Sequence, residues 1–391
     1  MMHLLLNTRG AAPASSPSSP GRRRVVFAEH AKAGSGGGGG GGGDGRRSVL
    51  SELSVSKPMI PMIPGKAEIA ETAAASDIVE VRTVGHDAAP TARFEIGRAL
   101  GKGAFGMVFL ARECETGFVC ALKRIRKRKV LSKGAQALRN IRREIEIHAR
   151  LSRDNHRHFV RFYNYFYDDK SIYMAMEYAI GGELKRALDR HVAAHGRGFS
   201  ERRVAVWMQQ LAGALAHMHG MNITHRDIKP ENILLGADNE IKLTDFGWSI
   251  RSARRRETLC GTPDYLSPEL VFAQMGRRGG SHGSRSAGFD LSVDLWACGV
   301  LAFELLVGDA PFSWTPEGEA GGQDDEDDED DDLQDLFDRI RRVDIRWPAG
   351  IISRYPRDFI ASLLRKNPKQ RMAVARWVGH PWFMTSEKKE R

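Results

Sequence analysis

The chain has 391 residues, of which 41% are apolar, 28% charged and 8% aromatic, enough for a sizeable core, so disorder of the whole chain is excluded. No uncharged apolar stretch reaches 18 residues, which excludes a membrane-spanning helix, and the four cysteines (Cys114, Cys120, Cys260, Cys298) form neither a CxxC nor a Cys/His zinc pattern. The net charge of +10 conceals nine consecutive acids from Asp324 to Asp332, so the remainder is more basic still; it suits acidic partners such as nucleic acid, a microtubule surface or phosphate groups, or is a solvated surface balanced by its own acidic loop.

Residues 1 to about 90 have the composition of a disordered extension. Ala11 to Pro20 is rich in Ala, Ser and Pro, and Gly36 to Gly43 is unbroken glycine. The first acid is Glu29, after Arg22-Arg23-Arg24, so the start resembles an organelle transit peptide, with an ordinary low-complexity tail as the alternative. Pro58 to Pro64 is one hydrophobic cluster, a docking motif or an idle segment.

From Arg93 apolar residues alternate. A run from Phe94 through Leu100 and a glycine cluster to Val108–Ala111, followed by Phe118 to Leu122, predicts an antiparallel hairpin. The spacing of Leu138, Ile141, Ile145 and His148 predicts a helix over 135–151, with short strands following near 159–166 and 172–177. Helical patterns then dominate, as in Val204 to His219 and Leu295 to Leu306. Two low-complexity inserts, about 276–288 and 318–332, are expected as surface loops, and 384–391 as a charged tail.

Three constellations carry chemistry. Gly101-Lys102-Gly103-Ala104-Phe105-Gly106-Met107-Val108 sits inside the hairpin with no helix after it, which favours a loop over a triphosphate rather than a dinucleotide fingerprint. Lys123 ends an apolar strand and needs anionic partners: phosphates, and Glu144 on the following helix, with Glu146 on the other face as its rival. The third is His225-Arg226-Asp227-Ile228-Lys229-Pro230-Glu231-Asn232, with Asp245-Phe246-Gly247 thirteen residues beyond Asn232. Asp227 can accept a hydroxyl proton, Lys229 can neutralise a phosphoryl group, and Asn232 and Asp245 offer oxygens to one magnesium ion. His217 and His219, two apart on a helix, do not align as metal ligands.

Together these motifs resemble the protein kinases over Phe94 to Phe383, including Ser267-Pro268-Glu269, Asp294-Leu295-Trp296 and Asn367 to Arg371. The resemblance implies an α+β bilobal fold, a small antiparallel β lobe with one key helix and a larger helical lobe. It implies ATP and Mg2+ as cofactors, and ATP contacts at Leu100, Gly101, Lys102, Gly103, Ala104, Phe105, Gly106, Val108, Ala121, Lys123, Glu177, Ala179, Glu183, Glu231, Asn232 and Asp245. Met176 would flank the adenine, and Glu269 would pair with Arg371 in the large lobe. Asp227-Ile228-Lys229 marks a Ser/Thr kinase. Asp245-Phe246-Gly247-Trp248-Ser249, Arg255 to Leu266 and Ile96 to Gly103 are similar to the Aurora family. Gly181-Gly182-Glu183-Leu184, the two inserts and the extension depart from it.

That similarity implies activation by phosphorylation of Thr258, with Arg143 and Arg226 gathering the phosphate, and a structural role for Thr262. It implies protein substrates with basic residues upstream of Ser/Thr, met by Glu183 and Glu231 unless those acids serve the ribose. It further implies a monomeric catalytic subunit with an activator of the inner-centromere-protein or spindle-factor type. Chromatin or microtubule association, no membrane partner, and a mitotic place at nucleus, spindle or centromere complete the expectation. The competing class is a basic scaffold of the same fold with little catalysis.

Overall fold

The computed structural model describes residues 23–27, 77–83, 92–103, 105–168, 170–251, 262–278, 291–314 and 329–387. The Pro58 to Pro64 cluster, Ala104, the arginines 254–256, Thr258 and Cys260 lie outside them.

The small lobe is a sheet closed on itself. Its strands are β1 (Arg23–Phe27), β2 (Asp77–Thr83), β3 (Ala92–Lys102), β4 (Gly106–Glu113) and β5 (Val119–Arg126). After α1 (Lys127–Ser132) and α2 (Ala135–Leu151) come β6 (Phe162–Tyr167) and β7 (Ser171–Met176). The order β1-β2-β3-β4-β5-β7-β6 is antiparallel except for β1 on β2. The expected hairpin is β4 with β5, where Val108 stands opposite Lys123. The expected helix over 135–151 is α2.

Strand β7 shows how two-residue periodicity fills both faces. Ile172, Met174 and Met176 join the cluster with Ile141 and Ile145 of α2, while Tyr173 and Ala175 join Leu122 and Phe166. One expectation is corrected here. Two segments of the extension, β1 and β2, are strands of this sheet, with Val79 opposite Phe94; Asp77–Thr83 alternates apolar β-branched residues with charged ones, which suits a strand despite the surrounding low complexity.

The large lobe begins with β8 (Gly182–Glu183), α3 (Leu184–His195) and α4 (Glu201–Gly220). The Ser200 hydroxyl caps α4 by accepting from the Arg203 backbone N–H. Short strands β9 (Ile223–Thr224), β10 (Ile233–Leu235), β11 (Ile241–Leu243) and β12 (Ile250–Arg251) carry the chemistry-bearing loops. Helices α5 (Pro268–Arg278), α6 (Ser292–Val307), α7 (Glu329–Arg342), α8 (Arg354–Leu363) and α9 (Pro381–Glu387) complete the lobe. Helix α6 is apolar nearly throughout and all of its residues are buried, so it is the axis of the lobe.

Three expected loop boundaries are corrected. Helix α5 runs to Arg278, into the first insert. Helix α7 starts at Glu329, inside the acidic run. Helix α9 takes in the start of the charged tail. Among the described residues no helix is long and apolar enough to cross a membrane.

Candidate active site

A cleft of about 570 Å³ opens between the lobes. Leu100, Val108 and Ala121 line it from the small lobe, Leu234 from the large one, and Met176 at the joining segment. The Glu177 N–H is taken by the Arg161 carbonyl and the Ala179 carbonyl by the Gly182 N–H. The Glu177 carbonyl and the Ala179 N–H therefore remain for the edge of a base.

The glycine-rich turn needs its glycines for a steric reason. A Cβ on Gly106 would stand 1.7 Å from the Arg124 carbonyl oxygen, so no side chain fits there. Gly103 and Gly106 close the turn by exchanging backbone hydrogen bonds of 3.0 and 3.3 Å. Gly101, Lys102 and Gly103 line the cleft as expected. Phe105 and Gly106 do not. The Phe105 carbonyl takes the Arg126 N–H and its ring packs on the small-lobe core, which is the lower-energy place for an apolar side chain.

Lys123 Nζ meets Glu144 Oε1 at 2.5 Å. Glu144 is buried on the inner face of α2, whereas Glu146 is exposed and pairs with Arg142 at 2.7 Å, so the rival is set aside. Burial opposes the Lys123 ammonium, but the charges of Glu144 and Asp245 outweigh it and raise its pKa. The same Lys123 charge is the main reason the Asp245 carboxyl is lowered, so both groups are ionised at neutral pH.

Asp227 is buried at the large-lobe end of the site. Asn232 Nδ2 donates to its carbonyl oxygen and to Oδ2, both at 2.7 Å, and Lys229 Nζ lies 3.3 Å from Oδ1. Lys229 also donates to Thr262 Oγ1 at 3.0 Å, which ties the loop carrying Asp227 to the segment preceding α5. This agrees with the structural role expected of Thr262.

The loop is fixed from beneath by a residue whose role the sequence reading did not assign. Asp294, fully buried in α6, accepts from the backbone N–H of His225 at 2.9 Å and of Arg226 at 2.8 Å, and bonds His219 Nε2 at 2.9 Å. Arg226 (φ 72°) and Asp245 (φ 61°) both have left-handed backbone, and such residues persist where neighbours hold them, as Asp294 holds Arg226 and as the Gly247 N–H bonds the Asp245 carboxylate. The available signal was an acid inside an otherwise apolar helix.

Two more residues make buried contacts that their sequence did not foretell. His148 is buried on α2, donates from Nε2 to the Val160 carbonyl at 2.7 Å, and packs against Phe246. Burial pushes its pKa down to about 4, so the ring is neutral. Glu304 of α6 accepts from Tyr265 Oη at 2.5 Å and Lys185 Nζ at 3.3 Å.

The oxygens present fit magnesium. Asn232 spends its amide nitrogen on Asp227, which leaves its amide oxygen, and Asp245 lines the same cleft as an ionised carboxylate. One or two such hard oxygens, completed by phosphate, is the donor set Mg2+ takes.

A β lobe with one inward helix, a helical lobe, and a lysine–glutamate pair sharing a cleft with Asn232 and Asp245 define the protein kinase class. Comparison with known families agrees: the protein kinase domain matches residues 94–383. Aurora kinase C of Mus musculus is 41% identical over 290 residues, covering 74% of this chain and 91% of that one. Serine/threonine-protein kinase Aurora-2 of Arabidopsis thaliana is 39% identical over 295 residues, covering 75% and 91%. Aurora kinase of Saccharomyces cerevisiae is 40% identical over 296 residues, covering 75% and 70%. The chain belongs to the Aurora family of serine/threonine protein kinases. The scaffold reading with little catalysis is not supported, because Lys123, Glu144, Asp227, Asn232 and Asp245 are all present and assembled.

Proposed function

We propose that Asp227 is the base of an ATP-dependent transfer to serine or threonine, an assignment carried by its place between Asn232 and Lys229. The substrate hydroxyl gives its proton to Asp227 as its oxygen bonds the γ-phosphorus. The bond from that phosphorus to the β,γ-bridging oxygen breaks, and ADP leaves with the electron pair. Lys123, held by Glu144, positions the α- and β-phosphates, and Lys229 offsets charge on the moving group. Asn232 and Asp245 would hold magnesium, which when bound neutralises phosphate charge.

Substrates with basic residues upstream of the acceptor fit the acids at the mouth. Glu231 is exposed and lines the cleft. Burial, with the charge of Glu231 adding to it, pushes the Glu304 carboxyl up. Glu183 pairs with Arg186 at 3.0 Å and faces Gly101, a place suited to ribose. Arg→Ala just upstream of the acceptor in a peptide panel should lower kcat/KM about tenfold. Unchanged kcat/KM across the panel would argue against the acidic subsite.

Thr258 is the activating phosphosite in this reading. Its phosphate would bring about −1.5 to −2 charge to Arg226, beside Asp227, and to Arg143, beside Glu144. Thr258→Ala should cut the rate roughly tenfold or more, and phosphatase should slow the wild type alike. A fully active variant, with a wild type indifferent to phosphatase, would dismiss this switch. Family membership further supports a mitotic catalytic subunit at spindle, centromere or nucleus, with an activator bound to the small lobe.

A further inference from the structure

Consecutive residues between the lobes are fastened in different directions. Glu177 Oε1 pairs with Lys242 of β11 at 2.9 Å, and its Oε2 accepts from the Arg161 backbone N–H at 3.1 Å. Tyr178 instead reaches the small lobe: Arg98 Nη2 donates to its hydroxyl at 3.1 Å. Both partners line the mouth of the cleft.

Arg98 stands on β3 at the root of the glycine-rich turn. There the pairing of β3 with β4 is irregular, shifting between Ile96 and Ala99 and again between Ala99 and Gly101. Such shifts interrupt the ladder and leave the strand less well held from that side. The Arg98 side chain supplies a hold from the opposite side, onto a segment that Glu177 anchors to the large lobe. We infer that the Arg98–Tyr178 hydrogen bond is a strap that keeps the glycine-rich hairpin down over the nucleotide, making both side chains positioning residues for ATP. The bond joins β3 to the segment between the lobes and not to the loop carrying Asp227. Loss of the strap therefore raises the opening of the nucleotide's cover without altering transfer once the cleft is filled.

The inference rests on the cleft being the ATP site. The test is made on the full chain with Tyr178→Phe, which keeps the ring, with Arg98→Ala, and with both together. Dissociation of a fluorescent N-methylanthraniloyl-ATP, steady-state KM for ATP and kcat are measured beside thermal melting. Each single change should raise KM and the dissociation rate about threefold, the range of an exposed hydrogen bond. The double change should do no more than either single, because one bond is broken in all three. Arg98→Lys, which retains a donor, should recover part of the loss, while kcat and melting hold. Unchanged KM and dissociation, effects that multiply in the double variant, or a fall confined to kcat would each overturn the strap. A wild type that binds no labelled ATP would remove the cleft assignment and the strap with it; normal binding with indifferent variants would remove the strap alone.

Discussion

Arg371→Ala should lower the melting temperature of the chain by roughly 10 °C, the size expected when losing the buried member of a mostly buried ion pair costs about 3 kcal/mol or more. The Arg371 side chain has no exposed surface, and its two terminal nitrogens meet the two Glu269 oxygens at 2.7 and 2.6 Å. Its remaining donors reach the carbonyls of Ser292 at 2.9 Å and Arg365 at 3.0 Å, and the guanidinium stacks over Trp296. Alanine would leave a carboxylate and two carbonyls unanswered and a void beside the indole. Glu269 lies in the first turn of α5, seven residues beyond Thr262, so the loss should also loosen the segment that Lys229 grips. Activity should fall with stability. Removing both charges, as Glu269→Gln with Arg371→Met, should cost less than Arg371→Ala alone, since no buried charge is then orphaned. A melting temperature within about 2 °C of wild type for Arg371→Ala would contradict this account.

The groups proposed to react stand out in the sequence because their spacing is local. Asp227 and Asn232 are five positions apart, and the hydrogen bond between them spans that one turn. Glu144 was separable from Glu146 by helical phase alone, and the structure buries the first and exposes the second. What the sequence did not disclose are partners brought together by tertiary packing. Asp294 secures His225 and Arg226 from nearly seventy residues away, and its presence in an apolar helix says only that it must be satisfied, not by what.

His148 was placed on the apolar side of its helix. It can stay there because the Val160 carbonyl takes its N–H. Phe105 was read as part of a phosphate loop, but apolar burial draws its ring to the small-lobe core. The strand β2 was hidden by a low-complexity setting, where the pairing partner and not the local composition decides the outcome. Leu234, the large-lobe wall of the cleft, was one of three equivalent residues in Ile233–Leu235 until the register set its face.

In the transfer we propose, Asp227 takes the proton. Asparagine in its place keeps the size of the side chain and removes the base. Lys123 and Glu144 would keep their 2.5 Å pair, and Asp245 its place in the cleft, so ATP binding should survive. The loss should fall on kcat by about a thousandfold, within the range for removing a positioned base. The measurement is transfer of radiolabelled γ-phosphate from ATP to a panel of Ser- and Thr-containing peptides, wild type beside Asp227→Asn, with nucleotide binding checked in both. The account predicts label on basic Ser/Thr peptides from wild type and almost none from a variant that still binds ATP. Equal transfer by the two proteins would contradict it.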